Sequence, residues 1–185
     1  LYSTDGNFNF EIIKKITQFP EKKYFKDFID DFSNFNKIKE NWISAQDTIN
    51  LDNEIKILKT HHGKYTVDMD SFTNDQNTLA TIYVVRDPRT LISSLSNHYT
   101  LTIDKASEFL MTPQIVGNNK RWEEKEIGMQ CLLGKWNDHY RSWTKNKNNL
   151  LLIKYEDLIR SPENELERVI NFLKKYLNVK TDKNK

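Results

Sequence analysis

Five residues stand out as types that do chemistry: Lys59, His61, Arg86, Ser94 and Tyr155. Arg86 closes Thr81-Ile82-Tyr83-Val84-Val85, a short apolar, β-rich run, as expected of a strand covered on both faces. Asp87 then suits a helix N-cap, and Pro88 the first helical position. This order puts Arg86 at the carboxyl end of a strand beside a helix N-terminus. Free amide N–H groups there favour an anion, and a guanidinium adds a bidentate donor for phosphate. Ser94 lies two turns into the helix and offers a hydroxyl. The stretch reads as a phosphate or sulfate site. It reads equally as a plain strand–helix junction with Arg86 paired to a carboxylate.

His61 is the candidate general base, because a neutral imidazole near pH 7 can take a proton from a hydroxyl. A lone histidine is more often solvated or packed, but this one follows Lys59 at the end of an expected strand. The adjacent His62 should point elsewhere. No third ligand has sensible spacing for a His–His site, so no metal is expected. Ser94 has no His/Asp partner arrangement, which makes it a better phosphate donor than nucleophile. Tyr155 would stack on or border a nucleotide base, or simply pack. Glu156 and Asp157 read as a cap and a solvated face.

Three strands would position these groups: Glu54–Thr60, Leu79–Val85 and Leu150–Lys154. The link between the first two exceeds a dozen residues, enough for a parallel crossover. Helices are expected over Phe8–Phe19, Lys39–Ala45, Pro88–Tyr99, Asp104–Met111 and Glu124–Lys145, and after Ser161-Pro162. In Glu21–Phe35, Tyr24, Phe25, Phe28, Ile29 and Phe32 fall on one helical face, read as core. Pro113–Arg121 reads as a loop. Strands alternating with helices imply an α/β fold, a parallel sheet flanked by helices on both faces. Ligands bind such sheets outside the carboxyl ends of the strands. Lys59 and His61, Arg86, and Tyr155 then share one edge.

Composition narrows the field. A chain of 185 residues with 37% hydrophobic and 12% aromatic content is globular, with length for one domain. A net charge of +2 gives no reason to expect a nucleic-acid partner. The one cysteine, Cys131, excludes an intrachain disulfide and sits in a helical pattern, as a core thiol would. No apolar run is long enough to span a membrane, and no signal peptide is visible. There is no phosphate-binding loop of the Gly-x-x-x-x-Gly-Lys-Ser/Thr kind: Gly128 to Gly134 with Lys135-Trp136 has the wrong spacing.

Three blocks, in order, give the chain a resemblance to the cytosolic-type sulfotransferases. These enzymes move a sulfuryl group from 3′-phosphoadenosine-5′-phosphosulfate (PAPS) to a hydroxyl or amine. Lys59-Thr60-His61 looks like the family's Lys-Thr-His block; Val84-Val85-Arg86-Asp87-Pro88-Arg89 through Ser94 looks like its 3′-phosphate segment. Gly134-Lys135-Trp136, then Leu151 to Leu158 with Tyr155-Glu156-Asp157, looks like its Gly-x-Trp helix and Tyr-Glu-Asp strand end. The resemblance implies a P-loop-NTPase-like sulfotransferase fold, of which residues 1–185 would form a single, partial domain. It implies His61 and Lys59 as catalytic residues, and Arg86, Ser94 and Tyr155 as binding PAPS. It also implies a small-molecule or glycan hydroxyl as acceptor, and a cytoplasmic location. His62-Gly63 stands where the family often has Leu-Pro, and Thr90 where it often has Asp. The family's phosphosulfate loop and its Arg-Lys-Gly-x-x-Gly segment are not in the sequence, so an internal piece of a longer protein is expected. Another phosphotransferase on a similar sheet, or a non-catalytic degenerate domain, are the alternatives.

Overall fold

In a computed structural model, the structure describes residues 17–52, 54–117 and 129–177. The chain alternates α and β elements around a small parallel sheet. Thr81–Val85 (β3) pairs in parallel with Leu150–Lys154 (β6), in register from Thr81 opposite Leu150 to Val85 opposite Lys154. Two antiparallel pairs accompany it: Thr66–Val67 (β1) with Asp70–Ser71 (β2), and Gln114–Val116 (β4) with Cys131–Gly134 (β5). The helices are Phe35–Glu40 (α1), Trp42–Ile49 (α2), Pro88–Tyr99 (α3), Ile103–Met111 (α4), Trp136–Thr144 (α5), Tyr155–Arg160 (α6) and Pro162–Leu173 (α7).

Local chemistry accounts for most boundaries. The Asn34 side chain accepts the N–H groups of Asn36 and Lys37 and so starts α1. Asp87 does the same for Arg89 at the start of α3, with Pro88 at its first position. Thr100, in the left-handed region at φ 54°, ends that helix. β6 runs into α6 with no loop between Lys154 and Tyr155.

The core is built mainly from residues between Phe19 and Phe72, joined by Met129 and Trp143. Phe25, Ile38, Trp42 and Ala45 are fully buried, together with Phe19, Phe72, Met129 and Trp143. Each large apolar side chain so buried contributes about 1.5–3 kcal/mol. The aromatic stripe of Glu21–Phe35 is core as expected at Phe25 and Ile29, with Tyr24 and Phe32 packed against it, while Phe28 is exposed. Its backbone is not one helix: a 3₁₀ turn at Lys22–Tyr24 and irregular turns carry it. Turn hydrogen bonds such as Tyr24 N–H to Glu21 O and Ile29 N–H to Phe25 O, together with ring packing, hold the chain there.

Four other expectations are corrected. Glu54–Thr60 forms no strand in the β3–β6 sheet; its one ladder contact is a parallel bridge from Lys59 to Gln18, and Ile55 and Ile57 are exposed. Within the described part of Glu124–Lys145, residues 131–134 are strand β5 and Trp136–Thr144 is helical. Gly134 ends the strand at φ 67°, a conformation an α-helix does not admit. Cys131 is therefore a strand residue. Pro113–Arg121 includes strand β4. Finally, β3 is not covered on both faces: Ile82 and Val84 are exposed while Thr81, Tyr83 and Val85 are half-buried. The expected helix Phe8–Phe19 lies largely outside the described residues.

Candidate functional site

Parallel pairing of β3 and β6 brings their carboxyl ends side by side, opposing Val85 to Lys154. The next residues, Arg86 and Tyr155, meet there: the Arg86 guanidinium lies 4.8 Å over the Tyr155 ring, a cation–π contact that holds its plane. Arg86 Nε donates to Thr90 Oγ1 at 3.2 Å, which uses the departure from Asp at that position. Among the described residues Arg86 forms no ion pair. The carboxylates that could have claimed it are engaged elsewhere. Asp87 takes Arg89, which holds its carboxyl down to about 2. Glu156 accepts the backbone N–H of Asp87 at 3.0 Å, and that bond lowers its pKa. The guanidinium thus retains free donors at a helix N-terminus, an arrangement able to take an anion. Ser94 is half-buried on α3, eight residues beyond Arg86.

The Lys59–Tyr65 segment is held by a different route. Lys59 is hydrogen-bonded by its backbone to Thr17 and Phe19, and its side chain is exposed. From His61 onward every residue is tied to β5 or α5. The carbonyl of His61 faces His139 Nε2 at 3.2 Å, and that of His62 accepts from Trp143 Nε1 at 3.0 Å. Gly63 N–H donates to Leu132 O, Lys64 N–H to Ser142 Oγ, and Tyr65 Oη to Leu133 O. His139, Ser142 and Trp143 of α5, with Leu132 and Leu133 of β5, thus hold this segment although it does not join the β3–β6 sheet.

The two histidines differ in their surroundings. His62 is fully buried, stacked on Phe72 at 4.1 Å and edge-on to Trp42 at 4.6 Å, and burial pushes its pKa down to about 4. His61 is exposed; the protein around its ring still desolvates it, and with the charges of Lys59 and His139 this lowers its pKa. His61 is therefore neutral near pH 7, the state a base needs. Gly63 is explained by the ring of Tyr65, which occupies the place where a Cβ would stand.

The sequence gives no reason to single out His139 or Tyr83, and it points to Glu156 only as part of a cap and solvated face. Tyr83 Oη lies 3.0 Å from His139 Nδ1, linking β3 to α5. The signal for Glu156 was its place directly after Tyr155, but its partner is a backbone group 69 positions away.

The structure is thus a mixed α/β chain in which Arg86 and Tyr155 meet at the carboxyl ends of two parallel strands, the edge where sheets of this kind bind ligands. This chain belongs to the family defined by the sulfotransferase domain, whose model matches residues 47–184. It is 29% identical over 98 residues to the 3-beta-hydroxysteroid sulfotransferase of Cavia porcellus, covering 52% of this chain and 31% of that protein. It is 26% identical over 125 residues to sulfotransferase 1 family member D1 of Mus musculus, covering 65% and 38% respectively. With sulfotransferase 2B1 of Homo sapiens it shares 32% identity over 94 residues, 50% of this chain and 24% of the relative. The chain thus spans about a third of the length of the curated relatives it matches. Among the described residues no helix is long and apolar enough to cross a membrane.

Proposed function

We propose that the protein is a PAPS-dependent sulfotransferase that sulfates a hydroxyl of a small molecule or glycan, and that residues 1–185 are part of its catalytic domain, a single P-loop-like unit. The observation that carries this reading is the Arg86 guanidinium, without an ion pair among the described residues and braced by Tyr155 and Thr90 where β3 and β6 end together. It fits the 3′-phosphate, with the Ser94 hydroxyl as a second donor from α3. Tyr155 already offers an aromatic face at the same point, suited to border adenine.

The donor, when bound, would supply the activated sulfuryl group, with the bond from sulfur to its 5′-phosphate oxygen breaking and adenosine 3′,5′-bisphosphate leaving with the electron pair. The chain's own residues do the rest. His61, neutral near pH 7, takes the acceptor proton as the hydroxyl attacks in line, a role that typically contributes about 10²–10⁴-fold. Lys59, near enough to lower the His61 pKa, offsets negative charge building on the transferring group. A cytoplasmic location goes with the same reading.

The test is turnover by the intact protein with PAPS and a panel of hydroxyl acceptors, beside calorimetric titration with adenosine 3′,5′-bisphosphate. Binding that is lost in Arg86→Ala, and turnover reduced at least about a hundredfold in His61→Ala, are expected. Failure of the intact protein to bind the bisphosphate would sink the reading. Retention of more than about a tenth of wild-type turnover by His61→Ala would remove His61 as the base.

A further inference from the structure

One polar side chain touches both halves of the candidate site and is used by neither. His139, on α5, faces the carbonyl of His61 with Nε2 at 3.2 Å and the hydroxyl of Tyr83 with Nδ1 at 3.0 Å. A carbonyl can only accept, so the hydrogen sits on Nε2. Nδ1 is then a lone pair, and the Tyr83 hydroxyl donates to it. Both partners agree on one neutral tautomer. Tyr83 lies three residues before Arg86 on β3, and its ring also stacks on that of His139 with centroids 5.7 Å apart. A single imidazole thereby connects the strand that ends in the candidate anion anchor to the main chain of the candidate base.

We propose that His139 is the positioning residue of His61, holding its carbonyl from α5 while Tyr83 fixes the imidazole of His139 from β3. The proposal rests on the reading of His61 as the base. The need for such a residue comes from the fold. Glu54–Thr60 is not laddered to β3, so no sheet hydrogen bonds set where His61 stands relative to Arg86. The neighbouring backbone groups of His62, Gly63 and Lys64 are tied to the core and to β5 and α5, but their partners do not touch β3 by hydrogen bond. The His61 carbonyl is the one link in this series that continues to β3 through side-chain hydrogen bonds. Burial lowers the His139 pKa and raises that of Tyr83, which keeps the neutral pair in place near neutral pH.

Imidazole NMR of the intact protein tests this without relying on activity. Wild type is compared with His139→Ala, His139→Gln and Tyr83→Phe, each first shown to bind adenosine 3′,5′-bisphosphate. The expected wild-type spectrum has His139 protonated at Nε2 and free at Nδ1. In His139→Ala the His61 ring signals shift and broaden, and in His139→Gln, whose amide N–H can reach the same carbonyl, they return toward wild type. In Tyr83→Phe the His139 nitrogen signals move to those of an imidazole without a donor at Nδ1. Where the intact enzyme turns over, His139→Ala lowers kcat about tenfold with KM for PAPS within about twofold, the split expected when a transition-state contact alone is weakened. His139 protonated at Nδ1, or His61 signals unmoved in His139→Ala, would overturn the proposal. A His61→Ala variant that keeps its turnover instead removes the base reading, and leaves the NMR result to report the clamp by itself.

Discussion

Glu156 accepts the backbone N–H of Asp87 through Oε1 at 3.0 Å, tying the first residue after Arg86 to the helix that starts at Tyr155. Two strand ends 69 positions apart in sequence are locked at the point where the candidate anion anchor sits. The carboxylate replaces a partner that the β3–β6 ladder, ending at Val85 and Lys154, does not supply. Glu156→Ala should weaken binding of adenosine 3′,5′-bisphosphate about tenfold, the scale of one charge-assisted hydrogen bond. Glu156→Gln, which keeps an acceptor oxygen, should bind closer to wild type. Calorimetric titration reads both, and equal affinity of wild type and Glu156→Ala would show that the tie does not position Arg86.

The contact between Arg86 and Tyr155 makes a separate prediction. Replacing Tyr155 by Leu keeps an apolar side chain and removes the aromatic face, so the guanidinium loses its brace. Affinity for the same bisphosphate should fall about two- to fivefold, the worth of an exposed cation–π contact. Arg86→Lys should cost more than Tyr155→Leu, because an ammonium carries no planar pair of donors. The reverse ranking would mean that Arg86 does not meet the phosphate as a fork.

His62 predicts how stability varies with pH. Its folded-state pKa lies near 4, below the ordinary 6.5. Between these values the unfolded chain binds the proton and the folded chain does not, so stability is complete above the ordinary value and falls as pH drops toward about 4. At about 1.4 kcal/mol for each pH unit between them, the loss amounts to roughly 3 kcal/mol. Denaturant unfolding across this range should show the slope in wild type. It should be reduced in His62→Phe, which keeps a ring against Phe72 and Trp42 but cannot titrate. An equal slope in both proteins would assign the acid sensitivity to other groups.

Gly134 should tolerate no side chain. Its φ of 67° is one that glycine adopts freely, and a Cβ there would fall on the Tyr65 hydroxyl. Gly134→Ala should therefore destabilise the protein by about 1–3 kcal/mol. Tyr65→Phe, which removes only the hydrogen bond to Leu133 O, should cost about 1 kcal/mol. Combining Gly134→Ala with Tyr65→Phe should recover part of the loss, because the hydroxyl that clashes is gone. Strict additivity in thermal denaturation would place the cost in the backbone angle and the remaining ring contact rather than in the hydroxyl.

Elements with local determinants were legible. α3 runs over Pro88–Tyr99 as its cap and proline indicated, and β6 over Leu150–Lys154 as its continuous apolar run indicated. Those two elements flank the Arg86–Tyr155 contact, which is why that part of the candidate site could be read from spacing. Segments whose state depends on distant partners were misread. Cys131–Gly134 carries apolar residues at helical spacing, but they lie on a strand because Gln114–Val116 offers an edge to pair with and Gly134 turns the chain. Glu54–Thr60 has the β-rich character of a strand, yet its one bridge goes to Gln18.

By itself the sequence determined the residue types and the order of the blocks that make the chain a sulfotransferase-domain protein, because capping, strand propensity and motif spacing act over a few neighbouring positions. Only the tertiary structure decided that Arg86 forms no ion pair among the described residues, that Glu156 serves the Asp87 backbone, and that the His61 carbonyl meets His139. Each of those facts is a choice among competing hydrogen-bond and ion-pair partners far apart in the chain, and packing settles such choices.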